Sequence, residues 1–137
     1  MEKLEHIGIA VKNLDKSNQL FAKLLGKPHY KIEEVASEGV RTSFFELGGL
    51  KIELLEATNS NSPIAKFIEK RGEGIHHLAF EVPDIQRSIQ SYSEKGFSLL
   101  NDQPKSGADN KQIAFIHPKT TNGVLVELCQ SDSVVGS

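Results

Sequence analysis

His6-Ile7-Gly8-Ile9-Ala10-Val11-Lys12-Asn13-Leu14 returns in pattern 71 positions later as His77-Leu78-Ala79-Phe80-Glu81-Val82-Pro83-Asp84-Ile85. Histidine falls on histidine, the apolar residues alternate in both stretches, and Asn13 matches Asp84. Alternation with period two is the mark of a half-buried strand, and Asn or Asp ahead of an apolar-periodic run is a helix N-cap. The correspondence continues through Ser17 with Ser88, Gln19 with Gln90 and Phe21 with Tyr92. Farther on, Gly49-Leu50-Lys51-Ile52-Glu53-Leu54 lies over Gly123-Val124-Leu125-Val126-Glu127-Leu128, now 74 positions apart, so one loop differs slightly in length. The chain is an internal duplication.

Each copy reads strand, helix, three strands. In the first, Leu4 to Val11 is a strand, and Asn13 caps a helix bearing Leu14, Leu20, Phe21, Leu24 and Leu25, with Gly26 as its stop. Strands follow over Tyr30 to Ala36, Val40 to Leu47 and Leu50 to Ala57. A linker with Ser62 as N-cap and Pro63 at the first helical position opens a short helix whose stripe is Ile64, Phe67 and Ile68. In the second copy, Ile75 to Val82 is a strand and Asp84 caps a helix with Ile85, Ile89 and Tyr92. Phe97 to Leu100, Gln112 to His117 and Val124 to Gln130 are its remaining strands. The expected fold is α+β: two tandem βαβββ modules forming a curved mixed sheet around a cleft. One domain covers 1–130, with module one at 1–57, a linker helix at 58–72 and module two at 73–130; 131–137 is a small, polar, frayed tail.

Each module carries one His on its first strand and one Glu on its last. If Ile7, Ile9 and Val11 pack on the helix, His6 points the other way; Ile52 and Leu54 do the same for Glu53. Leu78, Phe80 and Val82 likewise leave His77 on the far face, and Val124, Val126 and Leu128 leave Glu127 there. A single strand His or Glu is more often a solvated surface residue. The same residue types at equivalent places in both copies, all on the helix-free face, point instead to a metal site made of His6, Glu53, His77 and Glu127. Two imidazoles and two carboxylates suit one divalent ion such as Co, Ni, Mn, Zn or Mg, and leave positions open for substrate. No thiolate takes part, which argues against a structural zinc. His76 is expected in the helix-facing layer as a packed residue, His29 at the surface, and His117-Pro118-Lys119 in a loop with a solvated Lys119.

The 137 residues are 38 % hydrophobic and 25 % charged, an ordinary globular composition with enough chain for a core. A net charge of -2 argues against a nucleic-acid partner, since phosphate binding needs a basic surface, and leaves room for a local basic patch that meets a small anionic ligand. The lone cysteine, Cys129, cannot form an internal disulfide, and no apolar run is long enough for a membrane span or a signal core. A reducing, cytoplasmic location is expected.

The duplicated plan with His and Glu at matching places resembles the vicinal-oxygen-chelate superfamily, the glyoxalase and bleomycin-resistance proteins. Within it, Leu4 to Val11, Lys51 to Glu56, Ser62 to Phe67, Gly72 to Phe80, His117-Pro118-Lys119 and Gly123 to Leu128 resemble the methylmalonyl-CoA epimerases. The resemblance places the metal ligands on His6, Glu53, His77 and Glu127. It implies a metal-dependent epimerisation of methylmalonyl-CoA: a proton leaves and returns through a metal-stabilised enolate, in a homodimer whose partner is a small acyl-CoA. Inversion needs an acid and a base on opposite faces of one carbon. Some epimerases carry a Glu three residues after the glycine matched by Gly39; here that position is Thr42, so Glu127 and Glu53 are the expected catalytic pair. The loop Ser106 to Lys111 also departs from a common Gly-Ala-His-Gly-Lys pattern. Glyoxalase I, a lactoylglutathione lyase, is the alternative with the same ligand set, but its Asp-Pro-Asp-Gly turn is replaced by His117 to Gly123. A metal-free drug-binding resistance protein is the alternative of another class, and the intact ligand set argues against it.

Overall fold

The structure is a computed structural model, and it describes residues 3–131. It is an α+β fold made of two βαβββ modules. The chain divides into two compact units: one runs from His6 to His76, and the other takes His77 onward together with the first residues, up to Glu5.

The first unit contains most of β1 (Lys3–Ala10), then α1 (Leu14–Leu25), β2 (Lys31–Val35), β3 (Val40–Leu47), β4 (Leu50–Ala57) and α2 (Pro63–Arg71). Its strands lie in the order β2-β3-β4-β1, antiparallel except for the parallel pair of β1 with β4. The second unit contains β5 (Gly74–Glu81, entered at His77), α3 (Ile85–Glu94), β6 (Lys105–Ser106), β7 (Lys111–Ile116) and β8 (Val126–Ser131). Its order is β5-β8-β7-β6, with β5 parallel to β8.

The duplication holds at the level of single hydrogen bonds. Asn13 accepts from Lys16 N at the start of α1, and Asp84 accepts from Arg87 N at the start of α3. In both modules the first helical N–H is met by a side chain from the last strand: Leu14 N donates to Glu56, and Ile85 N to Gln130. These contacts satisfy donors that the helix itself leaves without partners. Val11 N donates to Leu55 O, and Val82 N to Cys129 O, at matching places in the two parallel ladders. Gly26 ends α1 in the left-handed region, φ 79°, where glycine carries no Cβ penalty.

The alternation sorts the faces as the sequence implies. Ile7, Ile9, Val11, Phe45, Ile52 and Leu54 pack against Leu14, Phe21 and Leu25 of α1. In the other unit Phe80, Val82, Ala114, Ile116, Val126 and Leu128 pack against Ile85, Ile89 and Tyr92 of α3. The opposite face of the first unit is partly roofed by α2, where Ile64, Phe67 and Ile68 meet Ala10, Val40 and Leu55.

Several local expectations are corrected. Leu20 and Leu24 are 62 % and 70 % exposed, because at 100° per residue the inward stripe through Leu14, Asn18, Phe21 and Leu25 leaves them on the outer side. Phe97 to Leu100 is not a strand. It makes one isolated bridge, Leu99 with Ile116, because Thr120 Oγ1 takes the Ser98 N–H and the Asn101 side chain accepts from Phe115 N. β8 starts at Val126 rather than Val124: Val124 N donates to Thr121 O while Thr121 Oγ1 donates to Val124 O, so both its backbone groups belong to the turn. His117 falls outside β7 and caps a short 3₁₀ turn over Pro118–Thr120, its Nδ1 accepting from Lys119 N. His29 is half-buried, edge-on to Phe45. The expected tail lies outside the described residues apart from Ser131, which closes β8. Among the described residues no helix is long and apolar enough to cross a membrane.

Leu54 and Leu128 occupy equivalent, fully buried positions. Truncating either to alanine is expected to cost about 2–5 kcal/mol in chemical denaturation, whereas Leu24→Ala stays within about 0.5 kcal/mol.

Candidate metal centre

The first unit holds His6 beside Glu53. The parallel register of β1 and β4 sets Gly8 opposite Glu53, so His6 lies two residues before the glutamate's partner. Two residues is one full period of a strand, and both side chains therefore leave the sheet on one face. His6 Nδ1 stands 3.2 Å from Glu53 Oε2.

The second unit repeats this. Ala79 is opposite Glu127, and His77 lies two residues before it. His77 Nε2 is 3.3 Å from Glu127 Oε1. All four residues are at most 6 % exposed. Two ligand atoms each about 2.1 Å from one cation, at right angles, stand about 3 Å apart. Each pair thus has the donor types and the spacing to fill adjacent positions around a divalent ion. Burying a carboxylate beside an imidazole is costly without a counter-charge, and a bound cation supplies one.

Each pair has an aromatic wall. Phe44 is opposite Glu53 and Phe115 is opposite Glu127 in the antiparallel ladders. Phe115 meets the His77 ring edge-on at 6.2 Å. With Ala79, Ile113 and Cys129 it forms an apolar collar on the His77 face. Burial, with the charges of Glu127 and Glu5 adding to it, holds the Cys129 thiol well above its ordinary value. Cys129 therefore stays a protonated packing residue and is no nucleophile.

His76 is packed as expected, its ring edge-on to Phe67 of α2 at 5.0 Å. Burial pulls its pKa down to about 4, so it is neutral at physiological pH. Lys119 is exposed. A second buried charged pair, Glu5 with Lys111 at 4.0 Å, left no mark in the sequence. Glu5 stands just ahead of the alternating apolar run, where charge is ordinarily solvated, and nothing in its local pattern marks it as buried.

Residues 5–115 match the family model of the Glyoxalase/Bleomycin resistance protein/Dioxygenase superfamily. The uncharacterized protein YqjC of Bacillus subtilis is 40 % identical, over 95 % of this chain and 93 % of its own length. The ethylmalonyl-CoA/methylmalonyl-CoA epimerase of Cereibacter sphaeroides is 39 % identical, over 93 % of this chain and 97 % of its own. A Streptomyces coelicolor methylmalonyl-CoA epimerase variant, solved in complex with 2-nitronate-propionyl-CoA, superposes with a TM-score of 0.93 at 32 % identity, covering 97 % of this chain and 96 % of that one.

The shift at His76 makes a stability prediction. Its folded pKa is depressed, so the unfolded chain takes up a proton first as pH falls below about 6.5. Stability from this residue is complete above that pH and is lost on the way down to about 4, by roughly 3 kcal/mol. Denaturant titrations of the metal-free protein should show a shallower acid slope in His76→Phe than in wild type.

Proposed function

The chain belongs to the Glyoxalase/Bleomycin resistance protein/Dioxygenase superfamily, and on that premise we propose that it is a metal-dependent epimerase of methylmalonyl-CoA. In this reading His6, Glu53, His77 and Glu127 together hold one divalent cation. The observation that carries it is the buried His–Glu pair at the same parallel register in each module, at 3.2 Å and 3.3 Å. The epimerase names of near-full-length relatives support the substrate.

A divalent ion held by these four residues would keep room for carbonyl oxygens of a malonyl thioester. When bound, the ion supplies Lewis acidity toward those oxygens. Neutral imidazoles donate lone pairs, and two carboxylates match a double positive charge, which lowers the cost of burying all five groups. Glu127 takes or returns the proton on one face of the carbon. In this reading Glu53, from the other module, is the partner group on the opposite face. The collar of Ala79, Ile113 and Phe115 keeps bulk water from the Glu127 side. The same reading takes the protein to work in the cytoplasm as a homodimer, with no nucleic-acid or membrane partner.

Incubation of single-epimer methylmalonyl-CoA with metal-loaded protein in heavy water tests the proposal. Deuterium should enter at the carbon between carboxylate and thioester while the configuration inverts; chelation should stop both, and a divalent ion should restore them. Metal-loaded protein that exchanges nothing, or that turns over the glutathione hemithioacetal of methylglyoxal instead, would refute it. Glu127→Gln should lower inversion about 100-fold or more, with metal content measured in parallel. A near-normal rate in that variant would remove Glu127 from the proton transfer.

A further inference from the structure

We propose that Lys105, on β6, receives the free carboxylate of the substrate's malonyl head and so selects a carboxylated acyl thioester over an uncharged one. The assignment deepens the epimerase reading above and takes its ligand from that reading.

The placement lies wholly within the second unit. Lys105 is opposite Ile113 in the antiparallel pairing of β6 with β7, and Ile113 and Phe115 are one strand period apart. Opposed residues of an antiparallel pair share a face, as do residues two apart on one strand. That face is the one carrying His77 and Glu127. The contacts agree with the register: Lys105 Nζ stands 5.6 Å from the Phe115 ring centroid, and the same ring meets the His77 ring edge-on at 6.2 Å. One aromatic ring therefore lies between the ammonium and the His77–Glu127 pair.

The segment bearing Lys105 is fixed on both sides. Gly107 follows it by two residues, and a Cβ there would lie 2.8 Å from Ile113 Cδ1 and 2.9 Å from Cγ2. A glycine lets the chain run that close to β7. Gly107 N donates to Lys111 O, which closes the segment on its far side. Upstream, Asn101 Nδ2 donates to Gln103 O while Asn101 Oδ1 accepts from Phe115 N. One asparagine thus ties the approach to Lys105 to the backbone of the aromatic wall. Lys105 itself is exposed, so an incoming anion reaches it.

Charge balance calls for a cation at this place. In the proposed centre two carboxylates already match a divalent ion. A malonyl thioester brings one more carboxylate, and the enolate develops further negative charge; the four ligands supply no counter-charge for either. An ammonium carries three donors and can meet a carboxylate while its stem rests on an aromatic ring. The CoA phosphates are the other anions of such a substrate, but the pantetheine arm separates them from a thioester held at the ion. Lys31 stands over Phe44 in the first unit at 4.6 Å, with Glu33 3.7 Å from its ammonium, a neighbour that repels an incoming carboxylate.

Calorimetric titration of the full-length, metal-loaded protein with two thioesters tests the assignment. Malonyl-CoA has the carboxylate; acetoacetyl-CoA shares the coenzyme and the paired carbonyls but lacks it. Lys105→Met should weaken malonyl-CoA binding about tenfold or more and leave acetoacetyl-CoA within about threefold of wild type. Lys105→Arg should keep malonyl-CoA within about threefold. So should Lys95→Met, which removes the same charge from over Tyr92 on the helix side of the sheet. Lys105→Met that binds malonyl-CoA as wild type does overturns the assignment. An equal loss for both thioesters overturns it too, because Lys105 would then serve the phosphates, as does a loss that follows Lys31→Met instead. Wild-type protein that shows the Lys105-dependent preference yet takes no deuterium into methylmalonyl-CoA ends the epimerase reading and leaves the carboxylate seat standing.

Discussion

The structure depends on one register, used twice. In each module the first and last strands run parallel, and the residue two beyond the histidine faces the glutamate. That offset keeps His and Glu on one side of the sheet and sends the intervening apolar residues to the helix. A slip of one residue would bring the polar pair into the helix-packed core and turn the apolar set outward. The helix caps, the side chains of Glu56 and Gln130 reaching back to the helix starts, and the Leu54 and Leu128 core positions all hold that register in place.

Buried carboxylates are unfavourable unless something offsets their lost hydration. The fold nevertheless keeps Glu53 and Glu127 almost fully out of water, each against an imidazole and each facing a phenylalanine. A surface ion pair would achieve neither the desolvation nor the aromatic wall. This arrangement could hold a cation in a low-dielectric setting. The nearby thiol, pushed toward its protonated form, adds packing without competing as a soft ligand.

Much of this was legible in the sequence because strand alternation and helix capping are local rules. The repeat of His6 at His77, the caps Asn13 and Asp84, and the faces of Glu53 and Glu127 all follow from period-two patterns that the packing obeys. What the sequence misplaced depended on longer-range geometry. Leu20 and Leu24 look like core in a list of apolar residues, but the helix angle turns them outward. Phe97 to Leu100 has strand composition, yet Thr120 and Asn101 side chains take the hydrogen bonds a ladder would need. Glu5 on β1 and Lys111 on β7 meet although their strands do not pair with each other, and no single stretch of sequence shows such a contact.

The central claim is that two separate His–Glu pairs hold one ion between them. Metal stoichiometry, measured by elemental analysis and anomalous diffraction on wild type and on variants altered in a single module, tests it most directly. The account predicts one ion per chain, lost when either His6 or His77 alone becomes alanine. Two ions per chain, or an ion retained in full by one module after the other is disabled, would contradict it.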